Sequence, residues 1–186
     1  MNAPSDTTAT TPRAGIARRL GAVIYEGLLL VAIVFVASFI ALPLITPGHA
    51  SGAEALAVPD LAHRVMLFCI LFAVVAWYFT WSWTGAHRTL PMKTWRLRLV
   101  LADGSPVPAK TALLRFLCAC IGPGLAVLAY GVLRQYGLGA QAVWLVAFNF
   151  LWAFVDPERQ FLHDRLAGTR IVWEPSASGA RAGPRA

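Results

Sequence analysis

The 186-residue chain is 58% hydrophobic and only 13% charged, with 16 Lys+Arg against 9 Asp+Glu and a formal net charge of +7. Soluble domains run at about 45–50% apolar and about 25% charged, so this composition excludes an ordinary soluble globule. A basic balance raises nucleic acid as a partner, but here the apolar bulk points to lipid instead.

The first dozen residues, rich in Thr, Pro, Ala and Asn, predict a disordered tail over 1–13. Four apolar stretches follow, over about 20–44, 65–86, 116–133 and 138–155, each close to the ~20 residues that a bilayer-crossing helix needs. The first is too long for a signal-peptide core, and its basic flank reads as an orientation anchor. Basic residues sort sharply between the connections. The N-terminal tail to Arg19 holds three, the 87–115 connection six and the segment after Val155 five, whereas the two remaining loops hold only Arg64 and Arg134. Cytoplasmic loops are enriched in Lys and Arg, so both termini and the middle connection are expected on the cytoplasmic side of a cell (inner) membrane. Trp81, Trp83 and Trp152 then fall at cytoplasmic span ends, where headgroups favour amphipathic rings.

Within the 87–115 connection, Trp95, Leu97, Leu99 and Leu101 alternate with Arg96 and Arg98, the period of a strand. Ala102 to Pro106 supplies turn chemistry, and Pro108 suits the opening of a helix. Residues 169–173 also read as extended, so 95–101 is expected to pair with them. Before that second strand, Asp156 and Pro157 suit a helix start. Phe161, Leu162 and Leu166 oppose Arg159, His163 and Arg165, which predicts a short amphipathic helix on the inner leaflet, or alternatively a lid over a vestibule. The Ser/Gly/Ala/Pro/Arg stretch over 175–186 predicts a second disordered tail. Fold class is therefore all-α: a four-transmembrane-helix bundle over 14–174 with both termini cytoplasmic and a small two-stranded sheet.

Glu26 is the most informative residue. It sits about six residues into the first stretch, on the order of 9 Å deep at 1.5 Å per residue. Ionisable groups at such depth face the bundle interior and are paired or functional. Arg19 lies two turns earlier on the same face, and Arg115, at the start of the third stretch, is the candidate to complete the pair. Fully paired, Glu26 is a structural lock; incompletely paired, it is a proton or cation site. Gly122-Pro123-Gly124, at similar depth in the third stretch, removes a helical hydrogen bond and permits a break. Such breaks serve either as packing kinks or as ion-site walls. Asn149 is placed to hydrogen-bond between helices. Cys69, Cys118 and Cys120 form no CxxC pair, which argues against a disulfide framework or a zinc site. With no Ser/His/Asp constellation, HExxH, P-loop or GxGxxG, the expectation is no enzyme, no metal and no cofactor.

Three motifs in order resemble the RDD family of mostly bacterial membrane proteins. Ala14-Gly15-Ile16-Ala17-Arg18-Arg19-Leu20-Gly21-Ala22 with Tyr25-Glu26 resembles the first. The second comprises Arg88-Thr89-Leu90-Pro91-Met92-Lys93, Leu97 to Val100, Asp103-Gly104 and Arg115. Leu162-His163-Asp164-Arg165-Leu166-Ala167-Gly168-Thr169 is similar to the C-terminal signature. The resemblance makes Arg19 the family arginine and Asp164 one family aspartate, with Glu26 standing at the other; Pro91 and Met92 depart from the usual Gly-Lys-like step. It implies a multi-span bundle with cytoplasmic termini. Two functions are expected to compete. One is movement of a cation or small solute through a homo-oligomer using Glu26, tuned by Arg19 and Arg115. The other is a non-transporting scaffold, assembly or regulatory subunit with a membrane-protein partner on its basic face.

Overall fold

The computed structural model describes residues 14–45 and 60–174; both predicted tails, 1–13 and 175–186, lie outside them. Helix α1 runs over Ile16–Ile45, and α2 over Leu61–Trp83, opened by the Asp60 carboxylate accepting from His63 N at 2.9 Å. That side-chain oxygen meets one of the donors every helix start leaves free. At 1.5 Å per residue, α1 reaches about 45 Å, ample for a hydrocarbon layer of about 30 Å. Its apolar residues, among them Leu28, Val31, Phe35 and Phe39, point outward. A helix hydrophobic on its exposed side is one whose solvent is lipid.

The chain then forms a short cap: α3 (Leu90–Thr94), β1 (Leu97–Leu101), and, much later, α7 (Leu162–Leu166) and β2 (Thr169–Trp173). Strands β1 and β2 pair antiparallel with Leu97 opposite Trp173 and Leu101 opposite Thr169, as the alternating pattern predicts. The outer edge of β2 is met by Ala14 N, which donates to Ile171 O at 3.3 Å. Glu174 closes the far end: its carboxylate binds Arg88 at 2.8 Å and Arg98 at 3.1 Å, while its N–H donates to Arg96 O. The turn after β1 is drawn tight by Asp103, whose carboxylate accepts from Ser105 N and Oγ; these two bonds hold its pKa below the ordinary carboxylate value. Trp83, Met92, Leu97, Leu99, Val107 and Phe116 form a buried core where the cap meets the helix ends. Little is buried higher along the helices, where lipid replaces packing.

Helix α4 (Ala109–Ala119) and α5 (Ile121–Leu133) follow, joined at Cys120. The break thus falls two residues before the Gly-Pro-Gly triplet, with Pro123 in the first turn of α5. Proline has no N–H, so the Ala119 carbonyl loses its in-helix donor. Asn149 Nδ2 supplies the replacement, donating to Ala119 O at 2.7 Å and to Cys118 O at 3.2 Å.

Among the described residues, three helices are long and apolar enough to cross a membrane: Ile16–Pro43, Leu61–Trp83 and Ala109–Tyr136. The stretch expected as a fourth α-helical span over 138–155 has another form. It is 3-10 helix over Gly139–Ala147, then α6 (Phe148–Leu151), then 3-10 helix over Trp152–Phe154. The turn at Gly137, φ +75°, folds it back along α5. A Cβ on Gly122 would stand 2.9 Å from the Leu145 and Val146 carbonyl oxygens, so the two backbones touch where a side chain is missing.

Two cytoplasmic expectations are corrected. Asp156 caps no helix; its Oδ2 accepts from Glu158 N and Gln160 N, both at 3.0 Å, forming a loop, and the helix starts only at Leu162. That helix does not lie with its polar side outward either: His163 and Asp164 are buried while Leu166 is exposed. A buried partner for Asp164 outweighs the amphipathic preference.

Candidate functional site

Arg115, carried inward by the first turns of α4, donates from Nε to Asp164 Oδ1 at 2.8 Å. Both groups are buried, at 3% and 1% exposure. The guanidinium also lies 4.0 Å over the Trp83 ring, a cation–π contact that spreads its charge in a dry setting. Trp83 is therefore a core residue and not the headgroup anchor its position in sequence suggests; Trp81, exposed and stacked on His87, keeps the interfacial character. Thr169 Oγ1 approaches Asp164 Oδ1 at 3.3 Å and adds a second, weaker tie.

Beside this pair, His163 Nε2 stands 4.0 Å from Asp164 Oδ1. Burial pushes the imidazole pKa down to about 4, with the Arg115 charge adding to the effect and Asp164 opposing it. Desolvation wins, so the ring is neutral at physiological pH. Arg19, buried at the start of α1, donates from Nη2 to the Arg159 carbonyl at 2.6 Å and packs over the Phe161 ring. Arg159 holds φ +53°, a left-handed conformation uncommon for a side chain larger than glycine, and is the residue whose carbonyl meets Arg19.

Glu26 faces the same region from α1. The Thr89 hydroxyl is its hydrogen-bonding neighbour and the Arg115 charge acts on it, while its Oε1 is buried with no protein partner. Arg115 therefore does not complete an ion pair with Glu26 as expected; its hydrogen bond goes to Asp164. The structural lock of this molecule is Arg115–Asp164, and Glu26 stands next to it. Together Arg19, Glu26, Arg115 and His163 line one end of a cavity of about 490 Å³, with Pro123 and aromatic rings from α2 and α4 lining the rest. Such a volume lies within the about 300–1,000 Å³ of ordinary small-molecule sites. Of the sequence-derived candidates, Arg19, Glu26, Arg115 and Pro123 converge on the cavity, Asp164 binds from behind, and Gly122 serves the packing of the 139–147 segment. Gly124 faces open space, where an added methyl group would touch nothing.

Thr89, Trp83 and His163 are functional neighbours that a residue-by-residue reading passes over. Thr89 carried a signal, since Thr followed by Leu-Pro is an N-cap pattern, and its Oγ1 does accept from Met92 N at 3.3 Å. Nothing in local sequence marks His163 or Trp83 as facing inward. Among the described residues there is no group of three His, Cys, Asp or Glu side chains able to hold a metal ion.

Comparison with curated proteins and with solved structures yields no match. The family model described as the RDD family matches residues 13–168, which takes in α1, α2, β1, the broken helix, α7 and the Arg115–Asp164 pair and stops just before β2. The chain belongs to the RDD family, a family of membrane proteins.

Proposed function

We propose that this chain moves a cation or small solute across the inner membrane as a homo-oligomer, with Glu26 as the carboxylate that couples the movement to a proton or cation. The single observation carrying this reading is a buried, unpartnered Glu26 Oε1 at the wall of a cavity set among the membrane helices. Asp164 also keeps one oxygen unmet, but it is tied to Arg115 by a short hydrogen bond, whereas Glu26 forms no ion pair and lines the cavity, so its oxygen is the one placed to meet a solute.

The proposal includes four crossings with both ends on the cytoplasmic side. A 3-10 helix rises about 2.0 Å per residue against 1.5 Å for an α-helix. Gly139–Phe154, being mostly 3-10, therefore extends about 30 Å and is long enough to return across the hydrocarbon layer beside α5. The basic bias of the N-terminal tail, the 87–115 connection and the C-terminal segment supports the same arrangement. No catalytic role is part of this reading.

The test is flux into liposomes containing the purified protein. Proton- or cation-coupled flux is expected, and Glu26→Gln should abolish it while the variant still elutes as the wild-type oligomer. Flux indifferent to that substitution sinks the mechanism. The scaffold alternative depends on a free basic face. Arg88 and Arg98 are engaged with Glu174, which leaves that face fewer charges to give a partner.

A further inference from the structure

Three residues lining the cavity carry buried polar atoms with no partner in the chain: Glu26 Oε1, Trp83 Nε1 and His163 Nδ1. Buried polar atoms are nearly always satisfied, and although others in this chain are also unmet, three on residues that line one cavity favour a polar group bound there. Their chemistry is complementary. A carboxylate oxygen accepts, an indole N–H only donates, and an imidazole nitrogen does either. A group that meets both Glu26 and Trp83 must donate and accept at once, as a hydroxyl does.

Apart from the Arg19 and Arg115 guanidiniums at the same end, the remaining wall is apolar, built from side chains such as Phe72, Val75, Phe79 and Phe116. An inorganic cation stripped of water needs about six oxygen ligands, and this wall has no such set. A hydrocarbon body, by contrast, loses nothing by entering it. Phe68 also lines the cavity and is 66% exposed on the outer side of α2, so the cavity extends to the lipid-facing surface.

We propose that the Glu26 cavity binds an uncharged amphiphile drawn from the bilayer, its hydroxyl head held between Glu26 and Trp83 and its apolar body against the aromatic wall. This names the solute of the reading above and rests on it for what binding is for. At that end Arg115 is engaged by Asp164 and Arg19 by the Arg159 carbonyl, and His163 flanks the head as a neutral donor or acceptor, so no charge on the ligand is called for.

A long-chain primary alcohol bearing a diazirine in its chain tests this, with the full-length protein in phosphatidylcholine–phosphatidylglycerol vesicles. Photolysis should label Phe79 and Phe116 saturably. Unlabelled alcohol should displace the probe, whereas the trimethylammonium and carboxylate analogues of equal chain length should need about tenfold more. Trp83→Phe, which keeps the ring under Arg115, and Glu26→Leu should each weaken labelling about tenfold. Should Glu26→Leu fail to fold, Trp83→Phe and the competition series on unaltered protein carry the result. Labelling that does not saturate, or that spreads evenly over lipid-facing Val31 and Phe35, overturns the proposal, as does displacement by a charged analogue at the alcohol's concentration. Flux abolished by Glu26→Gln alongside unsaturable labelling removes the amphiphile and keeps the transport reading. Saturable labelling in a protein without flux removes that reading and keeps the site.

Discussion

His163 shows how far one side chain's surroundings can pull it from its ordinary behaviour. Its ring is buried beside an ion pair whose two charges act on it in opposite senses, and desolvation decides the outcome. The folded pKa of about 4 lies below the reference 6.5, so between those values the unfolded chain binds the extra proton. Stability from this residue is complete above pH 6.5 and is lost as the pH falls toward 4, by up to about 3 kcal/mol. Thermal midpoints of the detergent-solubilised protein should fall over that window, and His163→Gln should flatten the decline. A variant as acid-sensitive as the parent would place the sensitivity elsewhere. Arg115 and Asp164 follow a related logic. Each alone is a buried charge costing several kcal/mol, and together they offset one another through a short hydrogen bond. Both residues could be singled out in the sequence, Arg115 by its place at a span boundary and Asp164 by its motif. Their partnership could not, because 49 positions separate them.

The broken α4–α5 element turns on a similar substitution of partners. Pro123 withdraws a donor from Ala119 O, and Asn149 restores one from a neighbouring segment. Asn149→Leu should therefore destabilise the protein by about 1–3 kcal/mol, the cost of a buried carbonyl left unmet. Adding Pro123→Ala to that variant returns an N–H to position 123 and should recover most of the loss. Thermal unfolding of the two single variants and the double one checks the cycle, and strict additivity would dissociate the two residues. Proline and glycine announced a break from the sequence alone, and the structure puts it at Cys120, two residues upstream of the triplet. What Gly122 is for became visible only with the 139–147 backbone against it. That segment also shows the limit of hydropathy as a guide: an apolar run specifies that a stretch is buried in lipid or protein, while 3-10 or α winding depends on what it packs against. Residues 157–166 went the other way from their amphipathic pattern for the same reason, because a local moment is worth less than a buried arginine's need for a carboxylate.

For the whole molecule, the decisive question is the side on which each end lies. Three crossings put the termini in different compartments and four put them in one, so the direction taken by Gly139–Phe154 governs the topology. Fluorescent-protein fusions at either end should both fluoresce, and periplasmic phosphatase fusions at either end should both be inactive. A phosphatase active at the C-terminus would reduce the crossings to three and move the 159–174 part of the cap away from β1, which contradicts the pairing of β1 with β2. Under the four-crossing proposal the antiparallel sheet is a topological constraint as well as a packing unit, since its two strands come from segments far apart in sequence.

Membrane residence, the apolar spans, the asymmetry of positive charge and the family motifs were all readable from residues in a row, because hydropathy, charge and strand alternation are properties of contiguous stretches. Which groups meet is a different kind of fact. Arg19 binds a carbonyl 140 positions away, Arg115 takes Asp164 in preference to Glu26, and a cavity opens beside the carboxylate thereby left with a spare oxygen. Those outcomes follow from competition among several charged and polar groups for few partners in a dry interior, and only the folded chain, which brings all of them within reach at once, resolves that competition.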